Sequence, residues 1–225
     1  MPISNSKRVN IFMGHYGSGK TFVSVNYAIA LKKASKNVNI FDMDIVNPYF
    51  RTIDAKNLLS KHGINLTVSD FAQTNVDLPA VNPGAYKMTD DYSSYAVVDV
   101  GGDDRGALAL GRFSKRLLEE NNYEVFWVIN TFRPETSTID GALEIKKEIE
   151  KVALLKFTGI INNANLGLET KKEDIYSGYK FCLELSKLTG IPIKFTSVRY
   201  DLIDKDLKNL GKILPVEPIK YGNWL

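Results

Sequence analysis

Residues 10–30 read NIFMGHYGSGKTFVSVNYAIA. An apolar, strand-like run ends at Met13, a glycine-rich turn follows, and a helical period opens at Lys20. Gly14–Thr21, GHYGSGKT, satisfies the pattern GxxxxGK[ST], in the strand–turn–helix context that gives the pattern its meaning. Gly17 and Gly19 allow backbone N–H groups to point inward at close range, and the helix N-terminus adds a positive dipole end. Lys20 is placed to bridge the β- and γ-phosphates of a nucleotide, and the Thr21 hydroxyl to ligate Mg²⁺. Gly14, His15, Tyr16, Gly17, Ser18, Gly19, Lys20, Thr21 and Phe22 are the candidate nucleotide contacts here. The competing reading is a glycine-rich turn that only joins strand to helix.

Outward from this stretch, β-branched and aromatic runs alternate with segments of helical period. The runs are Val9–Met13, Val38–Phe41, Leu66–Val68, Tyr95–Val100, Val125–Asn130, Lys156–Asn162 and Ile193–Val198. Helices are expected near 20–35, 52–62, 105–121, 138–151, 171–188 and 201–210. The first is expected to be amphipathic, with Phe22, Val25 and Ile29 on one face. The pattern predicts an α/β fold: a mostly parallel central sheet of about seven strands, flanked by helices on both faces. AVVDV and VFWVIN are apolar nearly throughout, which suits strands covered on both sides. One long irregular stretch, 69–94, holds Phe71, Asn75, Asp77, Pro79 and Tyr86, a set suited to a substrate or partner loop or to an ordered surface loop. With no linker in view, the sequence predicts one nucleotide-binding domain over 1–225.

Two strand ends are acidic. The second reads FDMDIVNPYFR and the fourth VVDVGGDD. Ligands of open parallel sheets sit beyond the carboxyl ends of the strands. Three carboxylates at strand ends facing the loop suit a Mg-nucleotide: Asp99 is a candidate to hold the metal through water, and Asp44 to orient or deprotonate the attacking water. Gly102 would let a loop approach the γ-phosphate. Strand-end capping is the alternative for Asp42 and Asp44, and helix N-capping for Asp103 and Asp104. Asn47, Tyr49 and Arg51 directly follow the acidic pair, where a switch loop would sense the γ-phosphate.

Composition removes other classes. The chain has 225 residues, 44% of them hydrophobic and 24% charged, enough to bury a core. Its apolar runs are too short to cross a bilayer, and the start, MPISNSKRV, shows no secretory signal. One cysteine makes neither an internal disulfide nor a CxxC metal site, which points to the cytoplasm. The net charge of +3, with no dense basic block, argues against nucleic acid as the partner. Pro215 and Pro218 break any helix in the tail ILPVEPIKYGNWL, which argues against a membrane-binding amphipathic helix.

Taken together, GHYGSGKT, FDMDIVNPYFR, YAVVDVGGDD, VFWVINTFRPET and FTGIINNAN resemble the MinD/ParA-like branch of P-loop NTPases, the SIMIBI class. The resemblance implies a Mg²⁺-dependent ATPase that switches on a protein partner, with ATP and Mg²⁺ as cofactors. Lys20 and Asp44 would be the catalytic pair, with Thr21, Asp42 and Asp99 at the metal. Asn162 or Asn163 would lie beside the base. One departure bears on assembly. The family's signature lysine, which reaches across an ATP-sandwiched homodimer, is His15 here, and the next glycine is Tyr16. Arg51 or Arg105 is a candidate to supply the missing charge, with ordinary surface arginines as the alternative. The guanine-specifying NKxD is replaced by Asn162-Asn163-Ala164-Asn165, whose amide stands where the carboxylate would be, and this favours ATP. A small-molecule kinase or ligase of dethiobiotin-synthetase-like type is the rival reading, and a module that holds nucleotide without turnover is the second.

Overall fold

The computed structural model describes residues 3, 5–44, 52–68, 83–102, 104–204, 207 and 209–219, with Asp104 by its backbone alone. Eight strands form one sheet: β1 (Val9–Met13), β2 (Val38–Met43), β3 (Asn65–Val68), β4 (Tyr95–Val100), β5 (Tyr123–Ile129), β6 (Gly159–Asn162), β7 (Ile193–Arg199) and β8 (Ile213–Val216). Their order is β3-β2-β4-β1-β5-β6-β7-β8. Every adjacent pair is parallel. The described helices are α1 (Lys20–Lys33), α2 (Lys56–Lys61), α3 (Lys87–Asp90), α4 (Asp104–Gly111), α5 (Ser114–Glu120), α6 (Ile139–Ala153) and α7 (Lys172–Thr189).

The continuous apolarity of the inner strands is two alternating patterns superposed. On β5, Val125, Trp127 and Ile129 face the core shared with α4, α5 and α6. Phe126 and Val128 face the opposite core, under α1. β1 divides the same way, with Ile11 and Met13 on the first side and Phe12 on the second. Side chains alternate across a strand, so a strand between two helical layers must be apolar at every position.

Five expectations change, the first being the helix expected near 201–210: the described residues there begin with a 3₁₀ turn at Tyr200–Leu202 and continue without helix at 203–204. The sheet has eight strands rather than about seven, because Ile213–Val216 pairs with β7. Pro215 is tolerated because β8 is an edge, where a missing N–H costs no ladder bond. α1 is buried almost all round rather than amphipathic, with Val23, Val25, Tyr27, Ala28 and Leu31 fully covered. The segment expected as one helix over 105–121 is two. Gly111 lies against the α6 backbone, where a Cβ would come 3.1 Å from Val152 O, and the break at Arg112 and Phe113 drops the Phe113 ring into the core. Finally, the 69–94 stretch is not irregular throughout: Pro83–Tyr86 forms a 3₁₀ turn that leads into α3.

The base of β1 is held by Arg8. Its guanidinium makes a two-pronged pair with the Glu120 carboxylate and donates to Asp91 O at 2.9 Å and Met88 O at 3.0 Å. One mostly buried side chain thus ties β1, α5 and the 83–91 segment together. Removing one partner of such a pair costs ~3–5 kcal/mol, because the other charge stays buried. Arg8→Met should lose that much stability in urea unfolding, and adding Glu120→Leu should restore most of it. A single variant of wild-type stability would remove Arg8 from this role.

Candidate functional site

The site forms where β1, at the centre of the sheet, runs into α1. Gly17 (φ +74°) and Gly19 (φ +84°) adopt left-handed backbone that only glycine takes without strain. A Cβ on Gly19 would also collide with the Asn163 amide nitrogen. The first turn of α1 carries neither an acidic residue nor a side-chain cap, so its orphan N–H groups keep their full pull on an anion.

The loop's carbonyls are held from outside. Lys20 Nζ donates to His15 O at 3.0 Å, Arg133 Nε to Gly17 O at 2.7 Å, and Asn163 Nδ2 to Ser18 O at 2.7 Å. Ser18 N closes the turn onto His15 O at 3.1 Å. The imidazole of His15 lies 3.7 Å from the Glu135 carboxylate, and Tyr16 is exposed.

On one side of the loop lie the acidic strand ends. Asp42 and Asp99 are register neighbours on β2 and β4, and both are buried. Asp42 Oδ1 accepts from the Asp44 amide at 3.0 Å, a strand-end cap that fixes where Asp44 begins. Asp44 stands just past β2 and lines the same cavity as Lys20 and Thr21. Asp99 Oδ2 accepts from Thr52 Oγ1 at 2.7 Å, whereas buried Asp99 Oδ1 has no hydrogen-bond partner among the described residues. Burial pushes the Asp99 carboxyl up to about 6, against the hydroxyls of Thr21 and Thr52 and the charge of Lys20. Gly102 packs on the loop: a Cβ there would come 2.7 Å from Tyr16 N and 2.9 Å from Lys20 Nζ.

An orphaned, desolvated carboxylate oxygen beside a Thr hydroxyl fits a hard cation. Among the described residues no group of three or more His, Cys, Asp or Glu side chains could hold a metal by itself.

A cavity of about 860 Å³ runs from Asp44 and Lys20 past Asn165 to β7 and β8. Its far end is apolar, with Ala164, Leu168, Ile175, Val216, Pro218 and Ile219, and is rimmed by Thr170, Ser197 and Arg199. Of the expected base-side pair, Asn162 spends its amide on Ile175 O and Asn163 braces Ser18 O while Ser197 Oγ donates to its Oδ1. Both are fully buried, and the groove wall comes instead from Ala164 and Asn165. The sequence pattern marks this strand end but not which side chain faces out.

Arg133 was missed as a site residue. It stands in VFWVINTFRPET, and a basic residue just beyond a strand that borders the loop strand was the available signal. Arg105 is exposed on α4. Asn47, Tyr49, Arg51, Asp103 and residues 69–82 lie outside the described residues. So does the tail from 220 onward.

Fold and site together define a P-loop nucleotide-binding protein. The description "CobQ/CobB/MinD/ParA nucleotide binding domain" matches residues 11–173, and the chain belongs to that family. No curated protein sequence matches it. Similar solved structures include the cell division protein FtsY from Thermotoga maritima, with TM-score 0.60 and 20% identity, covering 87% of this chain and 63% of that one. FtsY from Mycoplasma mycoides gives TM-score 0.56 and 21% identity, over 87% and 62%. The signal recognition particle 54 kDa protein from Aeropyrum pernix K1, in complex with GDP, gives TM-score 0.57 and 17% identity, over 87% and 43%. The chain thus spans less than two thirds of the length of these structures, and at such identities the likeness is one of fold. No described helix is long and apolar enough to cross a membrane.

The raised Asp99 carboxyl makes a pH prediction. Its folded pKa of about 6 exceeds the ordinary 3.8, so between these values the folded state binds more proton than the unfolded. Stability contributed by this group therefore falls as pH rises through that window, and the cost is complete above it. Asp99→Asn should stabilise the nucleotide-free protein by about 2–3 kcal/mol at pH 8. The gain should vanish as pH falls toward 4, read as chemical-denaturation midpoints. A gain independent of pH would refute the assignment.

Proposed function

We propose that the protein is a cytoplasmic, Mg²⁺-dependent ATP-binding protein that hydrolyses ATP slowly and acts as a nucleotide switch on a protein partner. The observation that carries this reading is the one cavity that joins Lys20 and Asp44 at its phosphate end to an apolar groove at the other. A triphosphate fits the first end and a purine the second, within the volume usual for cofactor sites.

The chain's own residues divide the chemistry. The loop N–H groups and Lys20 bind the phosphates and offset the charge that develops on them. Asp44 orients the attacking water and receives its proton. A bond forms from the water oxygen to the γ-phosphorus as the bond to the bridging β–γ oxygen breaks. Mg²⁺, held through Thr21 and Asp99, would neutralise phosphate charge. Turnover is slow because His15 replaces the lysine that completes the site in related dimers. Gly102, against Tyr16 and Lys20, gives the loop after β4 a direct contact with the phosphate end, which a switch requires.

Adenine is favoured over guanine on one ground. Asp44 is the only carboxylate among the described residues that line the cavity, and it stands at the phosphate end. Guanine's N1–H and exocyclic amine would meet no charged acceptor, so little selectivity for it is available. The Aeropyrum pernix structure holds GDP, which makes guanine nucleotides the competitors to test.

By calorimetry, Lys20→Ala should abolish ATP binding; unchanged affinity would sink the phosphate-loop reading. Asp44→Ala should bind ATP normally but hydrolyse it at least ~100-fold more slowly, on the scale of a lost general base. Retained turnover would take that role from Asp44. In competition, ATP should displace bound GDP more readily than GTP displaces bound ADP, and the reverse order would move the assignment to guanine.

A further inference from the structure

We propose that Arg133 is an intramolecular phosphate-binding cation of this site, one that reaches the phosphates shared by nucleoside di- and triphosphates. The inference rests on reading the cavity as a nucleotide site and names a residue that reading does not use.

Arg133 lies in the turn between β5 and α6. The turn is held by its own hydrogen bonds: Asn130 Oδ1 accepts from Phe132 N at 3.1 Å, Arg133 N donates to Asn130 O at 3.2 Å, and Thr136 Oγ1 to Asn130 O at 2.7 Å. Asn130 Nδ2 also donates to Asn165 O at 3.1 Å, which couples the turn to the groove wall. Pro134 holds Arg133 in extended backbone, with φ −105° and ψ 131°. The guanidinium therefore has a defined seat. Its Nε donates to Gly17 O, and its plane lies across Gly17 so closely that a Cβ there would come 3.0 Å from Nε and 3.2 Å from Cζ.

A guanidinium has five N–H groups, and among the described residues only the one on Nε has a partner in this seat. Among the described residues no carboxylate pairs with Arg133, although it lines the same cavity as Lys20 and Thr21. The nearby Glu135 faces His15 instead. An exposed arginine that spends one donor on a loop carbonyl, and keeps its fork at the cavity edge, is built for an oxyanion. The charge is also wanted. A triphosphate with one divalent cation is still strongly anionic, and among the described residues Lys20 is the other cation that lines the phosphate end.

The sheet order says which phosphates. β4 and β5 flank β1 on opposite sides, so Asp99 and Gly102 approach the loop from one side and Arg133 from the other. Arg133 is on the side of Asn165 and the apolar groove. Its phosphates are those nearer the base, which ADP and ATP both carry.

The test is Arg133→Gln, which removes the charge but leaves an amide donor for Gly17 O, with Arg133→Lys beside it. Each protein is titrated calorimetrically with ATP, ADP and adenosine at low and high salt. Arg133→Gln should weaken ATP and ADP alike by about 10- to 100-fold, as loss of a charge-assisted bond does, and leave adenosine unchanged. The salt dependence of ATP binding should flatten in the Gln variant and persist in the Lys variant, because one ionic contact is gone in the first and kept in the second. Unchanged ATP affinity would overturn the proposal. A loss with undiminished salt dependence would also overturn it, since that marks a residue that only props the loop. Wild-type protein that binds none of the three would refute the nucleotide reading itself, a result separate from either.

Discussion

A phosphate-binding loop has to leave most of its N–H groups for the ligand, so its carbonyls need donors beyond the loop's own backbone. In this protein three side chains do that from three directions: Lys20 from α1, Arg133 from the β5–α6 turn and Asn163 from the end of β6. Around this constraint the rest of the fold makes sense. β1 must be central so that β4 and β5 can both reach the loop. α1 must be fixed so that its N-terminus does not drift, and it is buried almost all round, with Tyr27 locked among Phe12, Phe126 and Phe195. Aromatic contacts of this kind add ~0.5–1.5 kcal/mol each beyond their burial, all of it directed at holding the helix that presents the phosphate cradle.

The opposite economy governs the acidic side. Asp99 sits at full burial with one oxygen unpartnered among the described residues, an arrangement that costs stability. Thr52 and Thr21 relieve it only in part, since the carboxyl still titrates well above its ordinary range. A fold keeps such a group when a positive ligand completes it. Asp42 also shapes the chain here. Its cap on the Asp44 amide sets the point at which the chain leaves β2, and so sets the position of Asp44 at the cavity.

Much of this could be read from residue order alone, for physical reasons that differ by element. The inner strands were legible because two-sided burial makes them apolar at every position, and the loop because its chemistry demands glycine, lysine and threonine at fixed spacing. β8 was hidden by Pro215, whose meaning depends on whether a strand is an edge. The burial of α1 was hidden because Ser24 and Asn26 look like a polar face until Asn26 is seen bonding Glu217 N and O across the helix to the segment after β8. At the β6 end, three asparagines close together differ in role only through the directions the fold gives them. Asn162 faces α7, Asn163 the loop and Asn165 the cavity. Arg133 illustrates the same limit: its importance is a relation to Gly17, far away in the chain and near only in the fold.

The central claim is that loop, acidic strand ends and apolar groove form one site for a Mg²⁺-complexed nucleoside triphosphate. The most direct measurement is calorimetric titration of the unmodified protein with a non-hydrolysable ATP analogue, with Mg²⁺ and again with chelator. The expected result is saturable binding at one site per chain, at least tenfold tighter with Mg²⁺, which Thr21 and Asp99 would hold against the phosphates. Binding indifferent to Mg²⁺, or none at all, would contradict it.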